Sequence, residues 1–99
     1  MDNDSTVTIY GTEQCPYCLA ARMLLKKKGV TYTDILISGD DTRRQEMERL
    51  SGGTTVPQIF IGRHLVGGFD ELFDLEKNGE LDGLLNPSSF GETIGNQGQ

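Results

Sequence analysis

Residues 6–37 read as strand, helix, strand, and that order leaves little freedom in how the chain closes. "TVTIY" (6–10) alternates β-branched and apolar residues as a half-buried strand does. Residues 16–28 carry a helical pattern, with Leu19, Met23 and Leu24 at helical spacing as the apolar side and Ala20 and Ala21 beside them. Pro16 suits a first helical position, Lys26, Lys27 and Lys28 suit the last turn, and Gly29 suits the stop. "VTYTDILI" (30–37) is a second strand. A β-α-β unit within one sheet sets its strands parallel and crosses over right-handed.

The remaining chain extends this unit. Asp40 or Asp41 caps a second helix that runs through Leu50, with Met47 and Leu50 turned inward and Gly52 and Gly53 ending it. "QIFIG" and "HLVGG" flank Gly62 and Arg63, a hairpin turn that adds an antiparallel pair. Residues 69–78 form a third helix with Phe69, Leu72 and Phe73 on one face and Gly79 at its end, and Leu81, Leu84 and Leu85 add a further helical turn. The expected architecture is α/β, a mixed sheet of about four strands flanked by helices. At 99 residues this is one domain, taken as 1–86. The polar, glycine-rich "PSSFGETIGNQGQ" makes 87–99 an expected disordered tail.

Composition narrows the partners. No apolar run nears the ~20 residues of a membrane span. The start "MDNDSTVTIYG" lacks the basic opening and apolar stretch of a secretory signal, so a cytoplasmic location is expected, where thiols stay reduced. A net charge of −6 argues against nucleic acid or an anionic membrane as partner. A chain this small builds one modest core, and a monomer without a large ligand cavity is expected.

Cys15 and Cys18, in "EQCPYCLAARMLLKKKG", are the cysteines of the chain. Cys-X-X-Cys beside a β-α-β pattern is a redox signature. Cys15 falls where the loop after the first strand becomes a helix, so free amides and the helix dipole favour its thiolate. The dipole supplies at most about 2 kcal/mol, and each unit of pKa lowering needs about 1.4, so a large shift requires direct hydrogen bonds to sulfur. Cys18 lies one turn on, less exposed, within reach of a mixed disulfide on Cys15. This makes Cys15 the nucleophile and Cys18 the resolving thiol. Pro16 preserves the helix start but offers no N–H to Cys15, and Tyr17 is expected at the surface, shaping the approach. The rival readings are half of a zinc site and a structural disulfide. With two cysteines and one histidine, His64, the chain cannot complete a four-ligand Cys/His zinc site. So short a disulfide loop would restrain little chain.

Two further segments carry a functional reading beside an ordinary one. In "TTVPQIF", Pro57 is either a plain strand-entry proline or a cis proline that leaves the Val56 backbone free to pair with a peptide-like substrate. In "GGFDE", residues 67–71, a tight turn leads to a helix whose acidic first turn needs no function. The same helix start could hold a carboxylate on its amides while Asp70 accepts from an α-amino group, as the γ-glutamyl end of glutathione would require.

Taken together, "CPYC", "TTVPQIFIG" and "GGFDE", in that order and spacing, resemble the glutaredoxin family of the bacterial dithiol type, over roughly residues 7–85. The resemblance implies the thioredoxin fold with Pro57 cis, and glutathione-dependent thiol–disulfide exchange without a metal. It implies Cys15 and Cys18 as the catalytic pair, and Tyr17, Thr55, Val56, Pro57, Gly68, Phe69 and Asp70 as the glutathione groove. Its implied partners are glutathione, disulfide-bonded or glutathionylated proteins and, indirectly, glutathione reductase. Thr12 stands where many relatives have lysine, and Gly53 where many have arginine or glutamine, so the clamp on the glycyl carboxylate is weakened. Arg43 or Arg44 is the candidate replacement. Three other readings compete. One is a redoxin served by thioredoxin reductase, which "CPYC" and "GGFDE" disfavour. Another is an iron–sulfur carrier bridging a dimer through Cys15, which Pro16 disfavours. The third, a purely structural interaction module, leaves the cysteine pair unexplained.

Overall fold

The computed structural model describes residues 6–85; the expected tail at 87–99 lies outside them. The elements run β1 (Val7–Gly11), α1 (Pro16–Lys27), β2 (Tyr32–Leu36), α2 (Asp41–Ser51), β3 (Gln58–Ile61), β4 (His64–Gly67), α3 (Phe69–Lys77) and α4 (Leu81–Leu85). The four strands are ordered β2-β1-β3-β4. β1 pairs in parallel with β2, from Val7 opposite Tyr32 to Gly11 opposite Leu36. It pairs antiparallel with β3, Ile9 opposite Ile59, and β3 pairs antiparallel with β4 across an irregularity between Ile59 and Phe60.

The period of a strand divides the core between the two faces of this sheet. Val7, Ile9, Ile59 and Ile61 point to one face and pack with Ala21, Leu25, Val66, Leu72, Leu81 and Leu85. Tyr10 and Phe60 point to the other and meet Ile37, Met47, Ile35 and Val56. The first face lies under α1, α3 and α4, and the second under α2 alone. That thinner cover is why Leu50, expected inward, is 48% exposed while Met47 is fully buried.

α1 also rotates away from the expected face. Cys18, Ala21 and Leu25 are its buried residues, Leu24 packs partly, and Leu19 and Met23 face solvent. The small Ala21 lets the helix approach the sheet closely, and that contact decides which side turns inward. On α3, Leu72 is buried as expected, but Phe73 is 42% exposed. Its ring stacks on Phe69 at 5.8 Å, with Lys77 Nζ 5.5 Å from the Phe73 ring centre.

Helix ends use the expected residues. Asp40 is the α2 cap, its Oδ1 accepting from the Arg43 amide at 3.0 Å. α1 closes with Gly29 at φ 74°, where Val30 N–H reaches the Leu25 carbonyl at 3.1 Å. That bond withdraws Val30 from β2, so the strand is shorter than the apolar run suggests. Lys28 joins Glu76 at 2.7 Å and Asp82 at 2.8 Å, tying the end of α1 to α3 and α4.

Candidate active site

Three chain turns meet at one end of the sheet: the β1–α1 loop, the β3 entry and the start of α3. Cys15 is the N-cap of α1 with extended backbone, and Pro16 follows at the first helical position. The Cys15 carbonyl accepts the first helix bond from Leu19 N–H at 3.0 Å. The helix-start amides of Tyr17 and Cys18 turn toward the Cys15 sulfur.

The thiols differ as the spacing suggested. Cys15 is partly exposed and Cys18 is buried, and both are free. Burial pushes the Cys15 thiol up, but hydrogen bonds from the Cys18 amide, the Cys18 thiol and the Tyr17 amide, with the charge of Arg22, hold it below the ordinary value. Cys18 moves the other way. Burial pushes it up, the Thr12 amide opposes this, the proximity of Cys15 adds to it, and Arg22 opposes it again. The low-pKa thiol is therefore the accessible one, the arrangement of an attacking sulfur.

Opposite Cys15 stands the β3 entry. The Val56–Pro57 peptide is cis, and Cys15 Sγ lies 3.9 Å from the Val56 carbonyl oxygen. Gln58 pins this turn, its Nε2 donating to the Thr55 carbonyl at 3.0 Å and to Thr55 Oγ1 at 3.4 Å. At the start of α3 the Gly68 amide donates to Glu71 Oε1 at 2.8 Å, which fixes the glycine turn against the helix. A shallow cleft of about 130 Å³ runs between these segments, lined by Tyr17, Thr55, Val56, Pro57, Gly68, Phe69, Asp70 and Glu71. Every groove residue named from sequence lies on this cleft, joined by Glu71.

Arg43 is not at the cleft. Its guanidinium donates to the Leu36 carbonyl at 3.2 Å and pairs with Asp40 at 3.5 Å, at the β2–α2 corner. A Cβ at Gly53 would sit 2.9 Å from Gln58 Nε2, so any larger residue there displaces the amide that holds Thr55. Among the described residues, no group of three or more His, Cys, Asp or Glu side chains is placed to hold a metal ion, and no helix is long and apolar enough to cross a membrane.

A glutaredoxin family model matches residues 7–66. The chain belongs to the glutaredoxin family. It is 50% identical over 80 residues to a glutaredoxin of Pseudomonas aeruginosa, covering 81% of this chain and 95% of that one. It is 48% identical over 81 residues to glutaredoxin 3 of Escherichia coli, covering 82% and 98%. Among solved structures it matches a glutaredoxin from Brucella melitensis with a TM-score of 0.73 at 46% identity, over 84% of this chain and 90% of that one. It also matches a buckwheat glutaredoxin–glutathione complex with a TM-score of 0.78 at 25% identity, over 86% and 80%. The sheet order and flanking helices of this glutaredoxin are the thioredoxin fold, and its activity class is thiol–disulfide oxidoreductase.

Residues around the cysteines of this glutaredoxin escaped the sequence reading. Arg22 is one, its side chain only 12% exposed beside Asp34. Its spacing four residues after Cys18 was the available signal, since i and i+4 share a helix face. Gly11 is another. A Cβ there would lie 2.7 Å from Cys18 Sγ, so the close approach of α1 to β1 depends on glycine. Gln58 holds one wall of the cleft, and Glu71, which from sequence reads as an ordinary acidic residue of a helix's first turn, holds the other.

Proposed function

We propose that this chain reduces protein disulfides and glutathione mixed disulfides at the expense of glutathione. The observation that carries the reading is the cleft running from Val56 and Pro57 to Gly68 and Asp70, with Cys15 facing the Val56 carbonyl. Such a groove suits a short peptide with a thiol at its middle and a charged α-amino acid end. The exposed edge at Val56 pairs with the cysteinyl backbone. The first amides of α3 receive the γ-glutamyl carboxylate, and Asp70 accepts from its ammonium. Tyr17, Thr55 and Phe69 bound the groove.

The Cys15 thiolate attacks a sulfur of the substrate disulfide, forming a mixed disulfide and releasing one substrate thiolate, which takes a proton from solvent. Cys18, deprotonated, then attacks the Cys15 sulfur, and the second substrate thiolate leaves. One glutathione opens the Cys15–Cys18 disulfide to give glutathionyl-Cys15 and free Cys18. A second glutathione attacks the bound glutathionyl sulfur, leaving as glutathione disulfide and restoring Cys15, and glutathione reductase recycles the product. For a glutathionylated substrate, Cys15 alone takes the glutathionyl group. A dithiol cycle of this kind requires a reducing compartment, the cytoplasm in this reading.

The test is turnover of a small glutathione mixed disulfide with glutathione and glutathione reductase, alongside reduction of a protein disulfide. Cys15→Ser abolishes both. Cys18→Ser retains the first and loses the second. Turnover with thioredoxin reductase but none with glutathione would overturn the proposal.

A further inference from the structure

We propose that Arg22 is a positioning residue for the second thiol: clipped by Asp34, its guanidinium fixes Thr12 over Cys18, so that the Cys18 sulfur is held ready to attack the mixed disulfide on Cys15. The inference rests on Cys18 being the resolving thiol, as in the function proposed above.

A guanidinium this enclosed is costly unless its donors are paired, and here the pairing runs through one nitrogen. Nη2 donates to the Thr12 carbonyl at 3.1 Å and to Asp34 Oδ1 at 3.2 Å, while Nε faces Asp34 Oδ2 at 3.1 Å as an ion pair without a hydrogen bond. The fork therefore ties α1 to β2 through Asp34 and to the β1–α1 loop through Thr12. Thr12 is held at its carbonyl by Arg22, and its amide faces the Cys18 sulfur. The Gly11 backbone brackets the same space. One Cβ position there would touch Cys18 Sγ at 2.7 Å and Arg22 Nη2 at 3.3 Å. The cation is thus within about 6 Å of the sulfur, the range over which a charge acts on a neighbouring titration.

The arrangement matters most after the first exchange. In the reduced protein burial, and after it the proximity of Cys15, keep the Cys18 proton on. Once Cys15 is bound in a mixed disulfide its negative charge is gone. The groups left facing Cys18 are the Thr12 amide and Arg22, with Asp34 behind Arg22 offsetting part of its charge. The planar Nη2, bonded at once to Thr12 and Asp34, is more than bare charge, and lysine does not reproduce that geometry.

Stopped-flow mixing of reduced protein with excess aromatic disulfide separates the steps without glutathione. In the first phase the Cys15 thiolate displaces one aryl thiolate. In the second, Cys18 loses its proton to solvent and attacks Cys15, the Cys15–aryl bond breaks, and a second aryl thiolate leaves. Arg22→Gln is expected to slow the second phase about tenfold, the loss typical of one charge-assisted hydrogen bond, and to move its pH midpoint upward. The first phase should stay within about twofold, since Cys15 keeps its helix amides. Arg22→Lys should recover only part of the second phase, and Asp34→Asn, which keeps the cation but loosens the clip, should slow it less than Arg22→Gln does. Equal slowing of both phases, an unchanged second phase in Arg22→Gln, or full recovery by lysine would overturn the positioning role. Persistence of the second phase in Cys18→Ser would instead overturn the assignment of Cys18 on which it rests.

Discussion

Gly11→Ala tests how closely α1 is pressed onto β1 at the dithiol. The added methyl would sit 2.7 Å from Cys18 Sγ and 3.3 Å from both Cys18 Cβ and Arg22 Nη2. Cys18 is fully buried, so its sulfur has no solvent side to retreat into. Overpacking of this kind costs about 1–3 kcal/mol. Gly11 is not among the glycines of positive φ, so alanine brings no backbone strain and recovers about 0.4–1 kcal/mol from the unfolded chain. The expected net loss is about 1–2 kcal/mol, lowering the melting temperature by roughly 4–8 °C for each kcal/mol. Urea unfolding of the reduced protein measures it, with an unchanged slope confirming that stability alone moved. A cycle with Cys18→Ala isolates the cause, because that change removes the sulfur the methyl strikes. The coupling expected is about 1 kcal/mol in favour of the double variant. If Gly11→Ala costs the same with and without the sulfur, or costs nothing, the close approach is not what requires glycine.

Two further outcomes are expected. Thr12→Lys places a cation on the β1–α1 loop, and at this half-buried position it is worth about 1 kcal/mol, or a KM for glutathione about fivefold lower. The gain should shrink at high salt and with a glutathione analogue amidated at the glycyl carboxylate, and equal KM values would show that this end of the ligand is not gripped from residue 12. The Tyr10 phenol is pushed up from 10.0 to about 12 by burial, then by its hydrogen bond to Glu46 and that carboxylate's charge, against a lowering by Arg49. Its folded pKa is the raised one, so its contribution to stability is intact below pH 10.0 and is lost as pH rises toward 12. Tyr10→Phe should flatten that alkaline decline, and an unchanged decline would assign it to other groups.

The sequence alone determined whatever depends on near neighbours along the chain. Cys15 and Cys18 sit within one helical turn, so their spacing already makes one a cap and the other an interior residue. Pro57 at a strand entry and the glycines before Phe69 likewise carry their geometry locally, and a family resemblance adds their order. Asp40 as a cap and Gly29 as a stop are legible for the same reason. Tertiary structure decided what depends on contact between elements. Leu19, Met23, Leu50 and Phe73 are as apolar as the residues that became core, and only the sheet's approach to each helix turned them outward. Asp34 meets Arg22 only because α1 is laid across the β1–β2 pair, and nothing in either residue's neighbourhood along the chain signals that meeting. Gly11 shows the limit most directly. As a residue at the end of β1 it could be read as a plain strand terminus, and its lack of a side chain matters only because folding brings the Cys18 sulfur into the space a methyl would need.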